Sequence, residues 1–524
     1  MKIPSPVRTL AVALVLSSFA PGAALPAPRD LTLDQAIGLA LRGNEGLVIE
    51  RHALAAARAR ETAAKGAYDP ILELSGGWSK SSQPLNSAYP GAVTPIAPEA
   101  RAREAGVSLE QLLPSGGVVA LRASGSRETT DGTLALLSPA FRTRVGIEFR
   151  QPLLRDLATD AARRDVRAAR SDRRGAIASL RRAVSETIAA VEQSYWTLVA
   201  ARLGVQVREE AVRLAEAQLV ETQARVRTGT VPRTELAQPQ AERERRLGEL
   251  LAAREAQARS ENTLKLLILT GAGDPLWEAQ LAPAESAGVD TTPIDVAAAM
   301  RHALASRPEL ELAASVVERR RAETGFARNG IWPSLDAVVS YDRFGLAGSA
   351  SPSGPSGSIP GRLSGGLGQS FETLGDGDFD AARVALVLGL PIRNRAARGS
   401  AEAARRVERQ AEAELASVRK AIRAEVLDAA AALETADQRI GAARAGREAA
   451  ETQLSAERDR FATGLTTNFL VLTRQNDLSR ARLDEISALT DYRRARTEMA
   501  RARGSLIEDR GVQVDETALT GGSR

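Results

Sequence analysis

Apolar residues in this chain recur with two periods, and the period switches at matching places in each half. Ile177, Leu180, Val184, Ile188, Val191, Tyr195 and Leu198 step by threes and fours. That spacing lies close to a 3.5 repeat and puts them on one narrow seam of a long helix, as in a coiled coil. Leu415, Val418, Ile422, Val426, Ala429, Leu433, Ala436 and Ile440 repeat the seam in the second half. No proline occurs from about Asp156 to Arg227. A helix of that length is a rod of roughly 105 Å. Helical patterns about half as long occupy 33–67, 233–270, 294–330 and 467–508. Two of these end to end match one long helix, so the long seam can be buried along its length.

Between short and long helices the period falls to two, beginning at Pro70 and at Pro333. Leu72, Leu74 and Trp78 alternate with Glu73, Ser75 and Ser79. Val145, Ile147 and Phe149 alternate with Gly146, Glu148 and Arg150, and Val384, Leu386, Leu388 and Leu390 form one apolar face. Such alternation suits strands with lipid on one side and water on the other. Gly/Ser/Pro-rich stretches, notably 346–366, read as loops. Two long strands per half make about four per chain, which is too few for a single-chain barrel of about eight or more. A sheet in lipid cannot leave open edges, so several copies would have to share one barrel.

The chain is a duplication. AIGLALRGNEGL (36–47) matches AMRHALASRPEL (299–310), and YDPILEL (68–74) matches IWPSLDA (331–337) at the same offset. QPLL (151–154) pairs with LPIR (390–393). RVRTGTVPRTELAQPQAE (225–242) pairs with RFATGLTTNFLVLTRQND (460–477), each reading Arg, two residues, Thr-Gly, then a new helix start. The domain reading is a first repeat over 31–270 with strands about 70–153 and a hairpin tip at 228–232. A linker follows at 271–293. The second repeat is 294–508, with strands about 333–392 and a tip at 463–467, then a flexible tail at 509–524. The first strand-rich stretch is the longer, by a segment at 105–125 whose LPSGG reads as a turn; the sequence leaves open whether it adds a hairpin to the barrel.

Composition narrows the function. Aromatics are 3% and charged residues 26% of 524 residues, which favours long helices over one thick aromatic core. The 70 basic residues are nearly balanced by 65 acidic ones, so charge does not argue for nucleic acid. There is no cysteine, which excludes disulfides, thiol catalysis, Cys-bound metal and an N-terminal lipid-bearing Cys. Residues 1–24 read as a signal peptide: Lys2 and Arg8, an apolar run from Leu10 to Ala20, then Gly22, Ala23 and Ala24. No later run is long and apolar enough for a membrane helix. No catalytic motif appears, so the chain reads as a non-enzyme without cofactor or metal site. His52 and His302 read as helix-surface residues. Asp376, Asp378 and Asp380 have calcium-loop spacing but lack the Gly and terminal Glu of an EF-hand, and read as a solvated loop. The arginine run at 163–174 reads as a solvated helix face or as residues near anionic headgroups or a charged lumen.

Together the signal peptide, the duplicated helix–hairpin–helix units and the long helices resemble the TolC-type outer-membrane efflux proteins. LTLDQAIGLALRGNEGL, AYDPILELSGGW, FRQPLLRD and RFATGLTTNFLVLTRQND carry the resemblance, which extends over about 31–508. It implies a mainly α fold with membrane β: a duplicated coiled-coil α-barrel plus a shared trimeric outer-membrane β-barrel of about four strands per protomer, twelve in all. It implies a homotrimer embedded in outer-membrane lipid, with helices in the periplasm. Tips closing the tube would dock on a periplasmic adaptor (membrane fusion) protein linked to an inner-membrane pump. Thr228, Gly229, Thr230, Thr463, Gly464 and Leu465 are then the adaptor-contact candidates. The family often places pore-narrowing aspartates after the second tip. Here Leu470 and Thr473 hold those places, with Asp477 a turn further on and Glu235 after the first tip. These four are the constriction candidates, and Pro239 marks an expected bend. The resemblance thus implies a passive exit duct of a tripartite efflux pump or type I secretion system. The competing reading is a periplasmic coiled-coil adaptor or scaffold.

Overall fold

The computed structural model describes residues 29–84, 97–285, 294–355 and 359–514. The expected signal peptide and most of the expected tail lie outside them. In chain order the elements are β1 (Arg29–Leu31), α1 (Leu33–Gly43), α2 (Glu45–Lys65), β2 (Ile71–Ser82), β3 (Glu99–Leu112), β4 (Val118–Thr130) and β5 (Leu137–Pro152). Then come α3 (Ala161–Arg227), α4 (Ala237–Ile268), β6 (Leu281–Pro283), α5 (Val296–Ser306), α6 (Pro308–Asn329) and β7 (Ser334–Ala350). The chain ends with α7 (Leu367–Asp376), β8 (Asp380–Gly389), α8 (Arg395–Ala462), α9 (Asn468–Arg503) and α10 (Leu506–Asp509). Contacts divide the described residues into two compact units. Among the described residues one unit draws on 29–44, 190–285 and 435–494, and the other on those within 45–189, 294–434 and 495–514.

Both long helices form where the seams predict. Leu180, Val184, Ile188, Val191, Tyr195 and Leu198 of α3 are buried, as are Ile422, Val426, Ala429, Leu433, Ala436 and Ile440 of α8. With 67 and 68 residues, each is about 100 Å long at 1.5 Å per residue. α3 begins at Ala161, later than the expected Asp156, because Asp156 sits at φ +69° and cannot enter a helix. Asp160 then caps the first turn by accepting from the Arg163 amide at 2.6 Å.

In the first unit β1 and β6 pair in parallel, so the expected linker holds a strand. Buried Tyr195 donates to the Leu31 carbonyl at 3.0 Å and packs edge-on to Trp196. The second hairpin closes on a core of Ala450, Leu454, Val471 and Leu478, with Phe461 packed against it. Arg447–Glu485 (2.6 Å) and Arg482–Glu451 (3.2 Å) tie its two arms.

The second unit holds one antiparallel sheet in the order β2-β3-β4-β5-β7-β8. Six strands replace the four expected. The additional pair is β3–β4, whose LPSGG turn closes as expected: Gly116 at φ +82° donates to Leu113, and Leu113 donates to Gly117. Segment 105–125 therefore does add a hairpin. The sequence concealed it because EARAREAGVSLEQL (99–112) alternates only weakly.

In the same unit Arg307, 3% exposed, sits at the junction of α5 and α6. Its guanidinium binds Glu309 (2.8 Å), Glu425 (3.0 Å) and the Ala502 carbonyl (3.0 Å). Asn44, its counterpart in the duplication, donates to the Leu267 carbonyl at 3.3 Å in the other unit. Each repeat thus fastens the end of its first short helix to a carbonyl of its last. His302 is part of this fastening, not a bare surface residue: Nδ1 lies 2.9 Å from the Arg503 carbonyl, which requires the Nδ1–H tautomer.

Candidate functional site

Two features could do work: the hairpin tips and the faces of the sheet. The tips are copies in geometry as well as sequence. Gly229 lies at φ +75° and Gly464 at φ +76°. Gly229 donates to Val226 (3.1 Å) while Thr230 donates to Arg225 (3.0 Å); Gly464 donates to Phe461 (3.1 Å) while Leu465 donates to Arg460 (2.9 Å). Each is a Schellman ending, in which a left-handed glycine lets two amides satisfy the last carbonyls of the helix. Thr228 and Thr463 also bond back through Oγ1, to Ala224 and Arg225 and to Asp459 and Arg460.

Thr228, Gly229, Thr230, Thr463, Gly464 and Leu465 are all exposed, Leu465 by 80%. Nothing lies within 4 Å of a Cβ built on either glycine. Leu470 is exposed, whereas Thr473 is half-buried and bonds the Phe469 carbonyl at 2.9 Å. Asp477 pairs with Arg474 at 3.2 Å. Glu235 is exposed in a 3-10 turn, Arg233–Leu236, that precedes α4. Pro239 falls in the first turn of α4, directly after that 3-10 turn, at a place where the N–H it lacks has no partner within α4. One contact escaped the sequence reading. The Arg225 guanidinium lies over the Phe461 ring, 4.3 Å from its centroid, and joins the two tips. The available signal was Phe461 itself, an aromatic where the first tip has Val226.

The sheet sorts its residues by face. Opposed residues in an antiparallel pair share a face. Leu72, Leu109, Leu121, Ile147, Tyr341 and Ala382 stand opposite one another in one row across all six strands. The adjacent rows hold Gln111, Val119, Phe149, Val339 and Val384, and Leu74, Val107, Ala123, Val145, Arg343 and Asp380, so among these rows charge enters only toward β7 and β8, in the second of them. This apolar face is open, with Leu74 76% and Val384 81% exposed. The opposite face is laced with charge: Arg122–Glu148 (3.1 Å), Arg144–Asp342 (2.9 Å) and Arg150–Asp336 (2.5 Å). Gly146 leaves room for the Asp342 carboxylate, which a Cβ there would meet at 1.9 Å.

Asp376, Asp378 and Asp380 are all exposed, as expected, and stand where two elements meet. Gly377 (φ +75°) ends α7, Asp378 pairs with Arg362 at 2.7 Å, and Asp380 opens β8. α7 packs on the sheet through Thr143, which donates to the Ser370 carbonyl at 2.9 Å. In the arginine run Arg173 pairs with Glu61 at 2.7 Å, Arg174 with Glu318, and Arg164 stacks over Phe326 at 4.4 Å. Glu61 answers with a carboxyl held below its ordinary value by its hydrogen bond from Lys65 and the charges of Arg173 and Arg170.

Residues 299–505 match the family model of outer membrane efflux proteins. The match covers the second repeat and no part of the first. Solved structures show the same fold over nearly the whole chain. The Campylobacter jejuni CmeC outer membrane channel is 16% identical with a TM-score of 0.64, matching 92% of this chain and 90% of its own. The Vibrio cholerae outer membrane protein VceC is 17% identical, TM-score 0.62, matching 90% and 96%. The open state of the Neisseria gonorrhoeae MtrE outer membrane channel is 17% identical, TM-score 0.61, matching 91% and 89%. No curated protein sequence is similar enough to this chain to count as a match.

Proposed function

We propose that this protein is a passive exit channel of the outer membrane, with its helical part in the periplasm and its barrel closed by several copies. The sheet carries the reading. Its apolar face has one row that crosses all six strands without a polar side chain other than the Tyr341 hydroxyl, while β2 and β8 each pair on one side only among the described residues. In lipid every unpaired strand edge costs several kcal/mol per group, and six strands fall short of the smallest single-chain barrels. Joining β2 of one copy to β8 of the next removes both edges. With the trimer that the resemblance implies, the barrel has roughly eighteen strands instead of twelve. A barrel of that size leaves an aqueous channel, here lined by the ion-paired face.

The two repeats, 31–270 and 294–508, then each supply strands and one tip. Thr228, Gly229, Thr230, Thr463, Gly464 and Leu465 present the docking surface for a periplasmic adaptor, which links the channel to an inner-membrane pump. Glu235, Leu470, Thr473 and Asp477 line the constriction behind it. Exposed Leu470 makes the narrowing apolar, and Asp477, engaged by Arg474, adds little free negative charge. Opening is driven by the partners; the chain performs no chemistry.

Single-channel conductance in a planar bilayer, with the oligomeric mass measured in parallel, tests this. Trimer-sized channels with conductance raised by Leu470→Ala are the expected result. A folded monomer or soluble dimer that never conducts overturns it and returns the scaffold reading.

A further inference from the structure

α7 lies on the apolar face of the sheet, over the small residues Gly345 and Gly125. Between its Leu367 and Phe371 and a floor of Ala105, Val107, Ala123 and Gly125 it leaves an open groove of about 610 Å³. That is the size of a pocket for a small ligand. The floor belongs to β3 and β4, which are inner strands. A second copy joining at β2 or β8 leaves it uncovered.

One end of the groove is apolar and the other is cationic. Arg103 and Arg127 stand directly opposite each other on β3 and β4, on the groove's face, and both are exposed. Arg127 lies over the Phe141 ring at 5.9 Å. Like charges in opposed positions repel and destabilise the pair unless an anion lies between them. In the next row Lys80 and Arg101 share the single carboxylate of Glu99. Four cations thus face two carboxylates at this rim, Glu99 and Asp131, whose Oδ1 already accepts from the Glu99 amide at 2.7 Å. It is also the rim away from the helices, since α2, α3, α6 and α8 all join the strands at the other. With the helical part in the periplasm, Arg103 and Arg127 face the outer leaflet.

We propose that the groove seats an acyl chain of the phosphorylated glycolipid of the outer leaflet, lipid A, and that Arg103 and Arg127 clamp one of its phosphates. This rests on the apolar face meeting lipid. A guanidinium pair is suited to a phosphate because its planar donors bind two oxygens at once. The acyl chain lies against Ala105, Gly125 and Phe371, where a wall of helix holds it more fully than a bare barrel surface can.

The test is lipid A binding to the full-length, delipidated oligomer in detergent, read by native mass spectrometry. The unaltered protein binds about one lipid A per chain. Replacing both Arg103→Ala and Arg127→Ala weakens binding about tenfold or more, the scale of one lost charge-assisted hydrogen bond. Arg103→Lys with Arg127→Lys recovers part of it. Gly125→Leu fills the groove and blocks binding with every cation in place; its Cβ would meet Leu367 at 3.9 Å and Thr143 at 4.0 Å, ordinary contacts. Equal affinity across these variants, or phosphatidylglycerol bound as tightly as lipid A, overturns the proposal. Conductance of the same preparations separates the failures: channels that conduct without binding lipid A sink this inference alone, and preparations that never conduct sink the channel reading.

Discussion

The guanidinium of Arg225 stacks 4.3 Å from the centroid of Phe461, and so couples the first hairpin tip to the second. Phe461 in turn packs against the core that closes the second hairpin. Arg225 is also held by Glu221 at 2.7 Å, which aims it.

Loss of this contact should free the tips from each other. A double-mutant cycle of Arg225→Ala and Phe461→Leu should return a coupling of about 0.5–1 kcal/mol, the usual range for an exposed cation–π pair. Open probability in a bilayer should rise in the Arg225→Ala channel. Additive effects and unchanged gating would show that the tips move independently.

The tip glycines are demanded by backbone, not by space. Gly229→Ala and Gly464→Ala should each cost about 1–2 kcal/mol, since an L-residue is strained at φ near +75° while no atom crowds the added Cβ. Asn, which tolerates that region better, should cost less at both sites. Faster amide exchange in the last turns of α3 and α8 is the measurement; equal melting of the Ala and Asn variants would contradict it.

Arg307 should be the most sensitive surface-remote residue. Arg307→Ala strands the Glu309 carboxylate and the Ala502 carbonyl and leaves Glu425 with Arg501 alone, at a cost of about 3 kcal/mol for a broken, largely buried pair. Burial alone would raise the Glu309 carboxyl, but hydrogen bonds from Arg307 and its own backbone amide hold it below its usual value. A depressed carboxyl stabilises above its unfolded pKa, about 4.3, and that stability is lost as pH falls through the lower folded value. The acid-unfolding midpoint should therefore move to higher pH in Arg307→Ala. Identical acid limbs for the two proteins would refute the coupling.

The faces of the sheet should respond oppositely to charge. Ile147→Arg, in the middle of the apolar row, should cost about 2–4 kcal/mol and impair assembly in the membrane. Ser340→Arg, opposite Glu148 on the ion-paired face, should assemble normally. Heat-resistant oligomer recovered from outer membranes is the readout, and equal yields would place water on both faces.

Much of this protein is written locally. A seam such as Leu180–Val184–Ile188–Val191 specifies a helix from spacing alone, and the Thr-Gly pairs at 228–229 and 463–464 specify where helices stop, because only a residue tolerant of left-handed backbone ends a helix that way. The duplication was equally plain, since it is a property of letters. Tertiary structure decided what depends on pairing across the chain. The Glu99–Leu112 strand has too little alternation to announce itself, and it becomes a strand because β2 and β4 bond it on both sides. The Leu367–Asp376 helix exists where Gly345 and Gly125 let it approach the sheet. The stacking of Arg225 on Phe461 and the opposition of Arg103 to Arg127 join residues whose partners no local period can name.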